Sequence, residues 1–577
     1  MKKYLLLFLT FGFIQTAISQ WSSDPTANLQ VTTRGLQPQL ITDDAGGAFI
    51  VYKDLPMEVV NLYVQRLNKY GYKVFPGNGV ALTDTNHTQA GYFFISKDNN
   101  GGVFVVFDNA DYFDNTYSRR TYVQRVDSSG NKLWGPNGIA VSPQMDKRIM
   151  AISMCSDGKD GCYVFWKFMN DRNHVDLWAQ YLDGQGNFRW DSSGVLITNQ
   201  FISHEWPVPC LTAIDENGGF ICHFVDSTGA KLQRINSNGE FLWGKGVSIF
   251  QKLGWFPNMK SDGFGGVIIA GSYRSDEDDG SGTLYSVGVQ RVDQDGHILW
   301  GDKGLIVTDL AHYTTHKPEI AIDNFGNTVV IWQDCRSGYS DIYAQKLNSA
   351  GKIQWQNNGT QICSVESEKY LQEAVIANDK STGETIIIWC DFRACVEPIF
   401  WVGVTINGQC INSEGNSIWS SDKLISSYQP MKWWRVISDG NGGAIVCWDG
   451  KNMERGIWAQ QISHNGNLGE VLKSTIIQNV NQTEVKKTKL FRGYPNPFNS
   501  QVILKYYIPQ NIKVKITIYD IYGREVKQLV NQWQHQGEYC ITWNGQDTNQ
   551  NCLASGVYLV QFRINRFTDT QKIVFVK

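Results

Sequence analysis

The feature that most restricts what this chain can become is that it repeats. The stretches "PQLITDDAGGAFIVYKD" (38–54), "PEIAIDNFGNTVVIWQD" (318–334) and "RVISDGNGGAIVCWDG" (435–450) share one plan: an alternating segment, an Asp/Asn/Gly turn, and a second apolar segment. That plan reads as a β-hairpin, because turn residues that tolerate positive φ join two runs of period two. A third segment follows in each unit, as in "TYVQRVD" (121–127), "LWAQYLD" (177–183), "VGVQRVD" (287–293) and "IYAQKLN" (342–348). A glycine turn and a fourth segment complete it, as in "GNKLWGPNGIAV" (130–141) and "GHILWGDKGLIV" (296–307). The first turns fall near Gly47, Gly102, Gly161, Gly219, Gly266, Asn327, Glu384 and Gly443, which makes eight units at a period of 47 to 61 residues. Four-stranded units at this period predict a β-propeller, in which each blade is a small twisted sheet packed on its neighbours. A solenoid is the alternative, and it would need capped ends where a propeller must close.

The aromatic of the fourth segment tests closure. It is Phe75, Trp134, Trp190, Trp243, Trp300, Trp355 and Trp419 in the first seven units, while the eighth, "IWAQQISHNGNLGEVLKS", has none after its glycine turn. The missing piece stands at the other end of the chain: in "WSSDPTANLQV" (21–31), Trp21 takes the place of Trp134, Asn28 that of Gly138, and Leu29 to Val31 that of Ile139 to Val141. The expectation is an eight-bladed β-propeller over residues 20–469 whose last blade borrows its fourth strand from the N-terminus, with Trp21, Trp134, Trp190, Trp243, Trp300, Trp355 and Trp419 as blade-packing residues.

Composition agrees with an all-β class: 20 Trp, 25 Tyr and 55 Gly in 577 residues, with little helical periodicity. Residues 1–19, MKKYLLLFLTFGFIQTAIS, read as a secretory signal peptide with a small-x-small end at Ala17 and Ser19. No later run is apolar for the ~20 residues a transmembrane helix requires. A net charge of −3 supplies no basic patch, which argues against nucleic acid as a partner. Of the 12 cysteines, Cys155 with Cys162, Cys210 with Cys222, and Cys540 with Cys552 could face one another across hairpins, and buried thiols are the equal alternative. There is no CxxC pair, and so no zinc spacing.

The recurrent D-x-x-G-x-x-x-W, as in Asp127 to Trp134 and Asp293 to Trp300, invites a metal or catalytic reading. It resembles the tryptophan-docking motif of quinoprotein-type propellers and, more loosely, the Asp-box of sialidase-type propellers, with spacing that departs from both. In those families the motif is structural. The residue chemistry points the same way: Asp and Asn accept turn amides, Gly permits positive φ, and a large ring fills the wedge between blades. A second recurrence is an acid after the second strand, at Asp54, Asp108, Asp334, Asp391 and Asp449, with Arg336 and Arg393 two residues beyond two of them. Local turn and ion-pair chemistry is the plain reading. The sharper one is a ring of acids around a cation, which makes calcium the one cofactor candidate.

Binding residues are sought in the loops that differ between units, since a rigid scaffold displays its variable loops. "HEWPVP" (204–209), "AHYTTH" (311–316) and "YQPMKWWR" (428–435) nominate Trp206, Tyr313, His316, Trp433 and Trp434 as ligand-binding, with Tyr428 beside them. Exposed aromatics stack on sugars or bury peptide side chains, and filling the packing between blades is the competing use. The acidic insert "SYRSDEDDGSGT" (272–283) lacks the ligand alternation of an EF-hand loop. HExxH, GxSxG and phosphate-binding glycine loops are all missing from the sequence, so no catalytic residue is assigned.

Residues 470–489 lose the repeat and read as a linker. Beyond them, short alternating segments predict an Ig-like β-sandwich over 490–577. This region resembles the C-terminal sorting domain of type IX secretion substrates, akin to the flagellar hook-capping Ig-like fold. The matching pieces are Tyr494-Pro495-Asn496-Pro497-Phe498-Asn499, "IYDIYGREV" with Gly523, Trp543-Asn544-Gly545, Ser555-Gly556-Val557-Tyr558, and the basic end. The resemblance implies that the type IX machinery is a partner and that the protein is secreted or held at the outer cell surface. The function expected is a binding or adhesion scaffold for a glycan or a protein. The alternative is an extracellular glycoside hydrolase or lyase with a site in a central channel, because paired carboxylates are set by distance in space and leave no sequence motif.

Overall fold

The computed structural model describes residues 20–577 apart from 55–59, 84–87, 114–115, 144–148, 170–174, 202–211, 215–217, 227, 251–256, 275–284, 303, 309–313, 335, 337–340, 364–371, 379–382, 392–403, 428–429, 451–455, 470–488, 491–495, 509–511, 535–536, 550 and 565–566. The described residues are all-β, with no helix. The chain divides into two compact units, Met1–Lys473 and Ser474–Lys577.

In the first unit the described residues form eight four-stranded antiparallel sheets. Sheet 1 shows the pattern, with strands Leu36–Thr42, Ala48–Asp54, Asn61–Leu67 and Val80–Ala81 in that order. Sheets 2 to 7 repeat it in sequence over 88–140, 149–201, 212–248, 258–306, 314–363 and 372–426. Sheet 8 takes three strands from Pro430–Ser438, Ala444–Gly450 and Gly456–Ile462, and its fourth is Leu29–Thr32, with Leu29 opposite Ala459 and Gln30 opposite Trp458. The first strand of each sheet touches the first strand of the next, from sheet 1 on to sheet 8 and from sheet 8 back to sheet 1.

Both faces of each sheet are apolar because both are covered. Along Ala48–Asp54, Phe49 and Val51 lie in a core shared with Phe93, Val103 and Val105 of sheet 2, while Ile50 and Tyr52 point the other way, into a core shared with Ile445 and Ile457 of sheet 8. Alternation in a strand buried on both sides therefore selects between two cores rather than between core and solvent. Trp21 and Val31 belong to that second core, so the N-terminal segment packs as the other fourth strands do.

The hairpin disulfides are not formed. Cys162, Cys222, Cys540 and Cys552 are free thiols. Register explains the first case: Cys155 stands opposite Tyr163 and Cys162 opposite Ser156, an offset of one residue that sends the two sulfurs to opposite faces and into different cores. Cys222 faces Thr212 across the strand pair, and Cys210 lies outside the described residues.

The second unit holds a three-stranded sheet (Lys489–Leu490, Val502–Ile508, Gly537–Trp543) and a four-stranded sheet (Glu525–Gln534, Ile512–Asp520, Gly556–Ile564, Phe567–Phe575). They share one core, in which Leu504, Tyr506 and Trp543 from the first meet Ile516, Val560, Phe562 and Ile573 from the second.

Candidate functional site

The residues that recur in every sheet are occupied with one another. Asp127 Oδ1 accepts the amides of Ser129 and Asn131 at 2.9 and 2.8 Å, closing the turn in which Gly130 sits at φ +92°. Burial alone would raise this carboxyl, but the Asn131 and turn-amide hydrogen bonds outweigh it and hold Asp127 below the ordinary carboxylate range. The fourth-segment ring then lies on the glycine of the next sheet's turn. A Cβ added at Gly186 would come within 3.2 Å of Trp134, one at Gly415 within 2.8 Å of Trp355, and one at Gly71 within 3.0 Å of Trp21. The indole N–H completes the contact by donating to a carbonyl of the same turn: Trp134 to Gly184, Trp190 to Ser237, Trp243 to Gln294, Trp355 to Ser413, Trp419 to His464 and Trp21 to Lys69, at 2.7 to 3.3 Å. Trp21, Trp134, Trp300 and Trp419 are buried, whereas Trp190, Trp243 and Trp355 keep part of their surface.

A glutamine clamp was missed by the sequence reading, although its signal was in view in "YVQRV", "WAQYL" and "AQKL". Each sheet carries one on its third strand: Gln65, Gln124, Gln180, Gln233, Gln290, Gln345, Gln409 and Gln460, all buried. The amide binds the backbone on either side of the docking ring. Gln124 takes the Trp134 amide on Oε1 at 3.1 Å and donates from Nε2 to the Gly135 carbonyl at 2.8 Å. In sheet 8, Gln460 reaches across the chain to the carbonyl of Ser22 at 3.1 Å. The next residue adds a tie between sheets: Arg125 pairs with Asp98 of its own sheet at 2.9 Å and donates to Gly184 of the next at 2.7 Å.

The acids after the second strands are buried: Asp54, Asp108, Asp226, Asp334, Asp391 and Asp449. Asp449 accepts the amides of Gln37 and Trp433 at 3.1 and 3.0 Å. Asp334 accepts the indole N–H of Trp332 at 3.0 Å and pairs with Arg336. Burial raises the Asp334 carboxyl, and those partners more than offset it, leaving the group below its ordinary range. The group best spaced for a cation among the described residues is elsewhere, at Asp293, Asp295 and His297, whose ligand atoms lie within 4.8 Å of one another. There the Asp293 carboxylate already accepts the Asp295 and His297 amides at 2.9 and 2.8 Å.

The nominated ligand-binding aromatics separate. Trp434 is 3% exposed and belongs to the core between sheets 7 and 8, which corrects its nomination as a ligand-binding residue: its side of the strand packs into that core, where Trp434 stands opposite Trp448. Trp433, one residue earlier, is half-buried, with the Arg435 guanidinium 5.9 Å from its ring. His316 lies in the strand Thr314–Ile322, and its side chain is outside the described residues, as are Trp206, Tyr313 and Tyr428. In the second unit, Tyr494 and Pro495 are also outside them. Asn496 joins the chain ends of that unit, donating to the Lys572 carbonyl at 2.9 Å and accepting the Val574 amide at 2.7 Å. Gly523 turns at φ +77°, and Tyr558, at the start of Gly556–Ile564, is buried with its hydroxyl on Ala554.

No curated protein matches the chain in sequence. Among solved structures it is similar to prolyl oligopeptidase B from Galerina marginata (9% identity, TM-score 0.38, 72% of this chain and 55% of that one). It is also similar to the polysaccharide lyase Uly1 (12%, TM-score 0.38, 78% and 94%) and to the WD40 domain of SCAP from fission yeast (9%, TM-score 0.37, 77% and 98%). The chain thus spans about half the length of the oligopeptidase, and none of these likenesses bears on what it binds. Among the described residues no helix is long and apolar enough to cross a membrane. The tail is specific: residues 492–577 match the secretion system C-terminal sorting domain, the type IX sorting tail, which implies interaction with that machinery and export to the cell surface or beyond.

Proposed function

We propose that the protein is a secreted or surface-held binding scaffold: an eight-bladed β-propeller closed by its own N-terminal strand, displayed through an Ig-like sorting domain and presenting its variable loops to a glycan or a protein. The observation that carries this reading is the use of the repeated polar residues. The turn aspartates, the clamp glutamines and the docking tryptophans are spent on one another, sheet by sheet and across the junction of sheet 8 with sheet 1. Residues repeated in this way serve the frame, and what differs between units is left for recognition. Of the aromatics nominated from the variable loops, Trp433 is one whose side chain is described and keeps surface, next to a cation. A glycan array and a surface-protein pull-down with the mature chain, run beside an activity screen on polysaccharides, test the reading. Binding without turnover, weakened by Trp433→Ala, is the expected result. Depolymerisation of any polysaccharide would replace the scaffold with an enzyme.

A further inference from the structure

The central hairpin of sheet 2 outruns that of its neighbour. In sheet 1 the second and third strands finish at Asp54 opposite Asn61, and in sheet 6 at Asp334 opposite Asp341. Sheet 2 carries Asn109 opposite Arg120 at that level and continues through four more pairs, to Phe113 opposite Thr116. Its hairpin therefore projects past the strands of sheet 1 that pack beside it, and Asn109 and Arg120 stand where the shared core ends.

Polar atoms at the foot of this projection lack partners. Phe107 and Tyr122 stack at 5.9 Å in the core shared with sheet 1, and alternation turns Asn109 and Arg120, two residues from each, to the same side. Asn109 Oδ1 and Arg120 Nε are both buried with no hydrogen-bond partner, and Arg120 makes no ion pair with any described residue. The equivalent positions elsewhere are satisfied from their own fourth segments: Asn61 accepts the Thr83 hydroxyl at 3.2 Å, and Asp341 accepts the Gln361 side-chain amide at 2.9 Å. From sheet 1, Lys53 lies on the side of Phe49 and Val51 and brings its ammonium 6.0 Å from the Tyr92 ring and 5.9 Å from the Phe93 ring. It makes no hydrogen bond or ion pair with a described residue, and Asp108, the acid whose charge it senses, is buried and does not pair with it. Phe93, Phe107 and Tyr122 stand opposite one another across three strands. Lys53 thus sits toward one end of that row and Arg120 toward the other, on strands about 10 Å apart at two strand spacings.

We propose that Lys53, Asn109 and Arg120 bind a hexuronic acid residue of an acidic polysaccharide, an inference that rests on the scaffold reading above and names the class of its ligand. A sugar hydroxyl donates to Asn109 Oδ1 while it accepts from Arg120 Nε, so one group meets both orphaned atoms. A peptide N–H only donates and a sulfate ion only accepts, and each would leave one of the two unmet. The carboxylate of the sugar takes the Lys53 ammonium, which supplies the charge-assisted contact. Tyr92, half-buried beside that ammonium, offers the sugar ring an apolar surface.

The test titrates methyl β-D-glucuronoside and methyl β-D-glucoside into the mature full-length chain and follows saturation transfer from protein to ligand by NMR. The uronide is expected to bind about tenfold more tightly than the glucoside, the difference that one hydrogen bond to a charged group makes. Arg120→Met and Lys53→Met should each remove that advantage, while Lys352→Met, which deletes an exposed cation on sheet 6, should leave it intact. Equal binding of the two glycosides to the wild-type protein, or binding of neither, overturns the proposal, and because that comparison needs no variant, a folding defect cannot mask it. Displacement of the uronide by an equal concentration of sulfate or of poly-glutamate overturns it as well, since neither supplies the bridging hydroxyl. None of these results touches the scaffold reading, which the array and the turnover screen decide separately.

Discussion

Replacing Trp21 with alanine asks whether the N-terminal segment is structural to the same degree as an internal fourth strand. Trp21 is 4% exposed, donates to the Lys69 carbonyl at 3.0 Å, and lies against Gly71 of sheet 1. Truncating a buried tryptophan costs about 3 to 5 kcal/mol, and the carbonyl left without its donor adds about 1 kcal/mol. Trp419→Ala is the internal comparison, since that indole is 3% exposed and donates to His464 at 2.7 Å. The two variants should lower stability by similar amounts in urea unfolding followed by circular dichroism, compared at matched slope. Trp21→Phe should cost only about 1 to 2 kcal/mol, because it keeps a ring and loses one hydrogen bond. Phe75 already occupies the equivalent place in sheet 1. Gly71→Ala attacks the same joint from the other side, through a φ of +83° and a Cβ 3.0 Å from the indole. If Trp21→Ala stays within about 0.5 kcal/mol of wild type, the range of an ordinary surface change, while Trp419→Ala loses its several, the reasoning fails.

Three further outcomes are expected. His223 is buried on the face of sheet 4 that it shares with Ile221, neither ring nitrogen has a hydrogen-bond partner among the described residues, and desolvation pushes its pKa down to about 4. The unfolded chain therefore takes up a proton near pH 6.5 that the folded chain refuses until about pH 4, so stability is flat above that window and falls through it by up to about 3 kcal/mol. His223→Leu should flatten the acid limb of a melting-temperature profile, and an unchanged limb would contradict the assignment. Gln124→Leu leaves the Trp134 amide and the Gly135 carbonyl without their buried partner and should cost about 2 to 4 kcal/mol by calorimetry, more than the same change at the exposed Gln354. Removing residues 490–577 should leave the chain in the periplasm when cell fractions are blotted, whereas normal secretion of the truncated form would show that the sorting tail is dispensable.

Legibility followed the range of the interaction. The turn at Asp127 to Asn131 closes over four residues, so its Asp and Gly could be recognised in the sequence. The sorting tail was equally legible, since its matching pieces lie in order within about ninety residues. The glutamine clamp is different. Gln124 reaches ten residues to Trp134 and Gln460 reaches 438 to Ser22, and a glutamine in an alternating strand looks like any solvent-facing polar residue until the second face is known to be covered. Trp433 and Trp434 show the same limit: adjacent residues with one composition and opposite environments.

The four-segment unit, the number of repeated segments and the export tail follow from residues close together in the chain, because turn chemistry, period-two alternation and short motifs need no distant partner. Which side chain meets solvent and which sulfurs face each other depend on strand register and on the packing of one sheet against the next. A one-residue offset placed Cys155 and Cys162 in different cores. Those outcomes rest on contacts between segments far apart in sequence, where a change of register by one exchanges the two faces of a strand, and only the assembled sheets decide it.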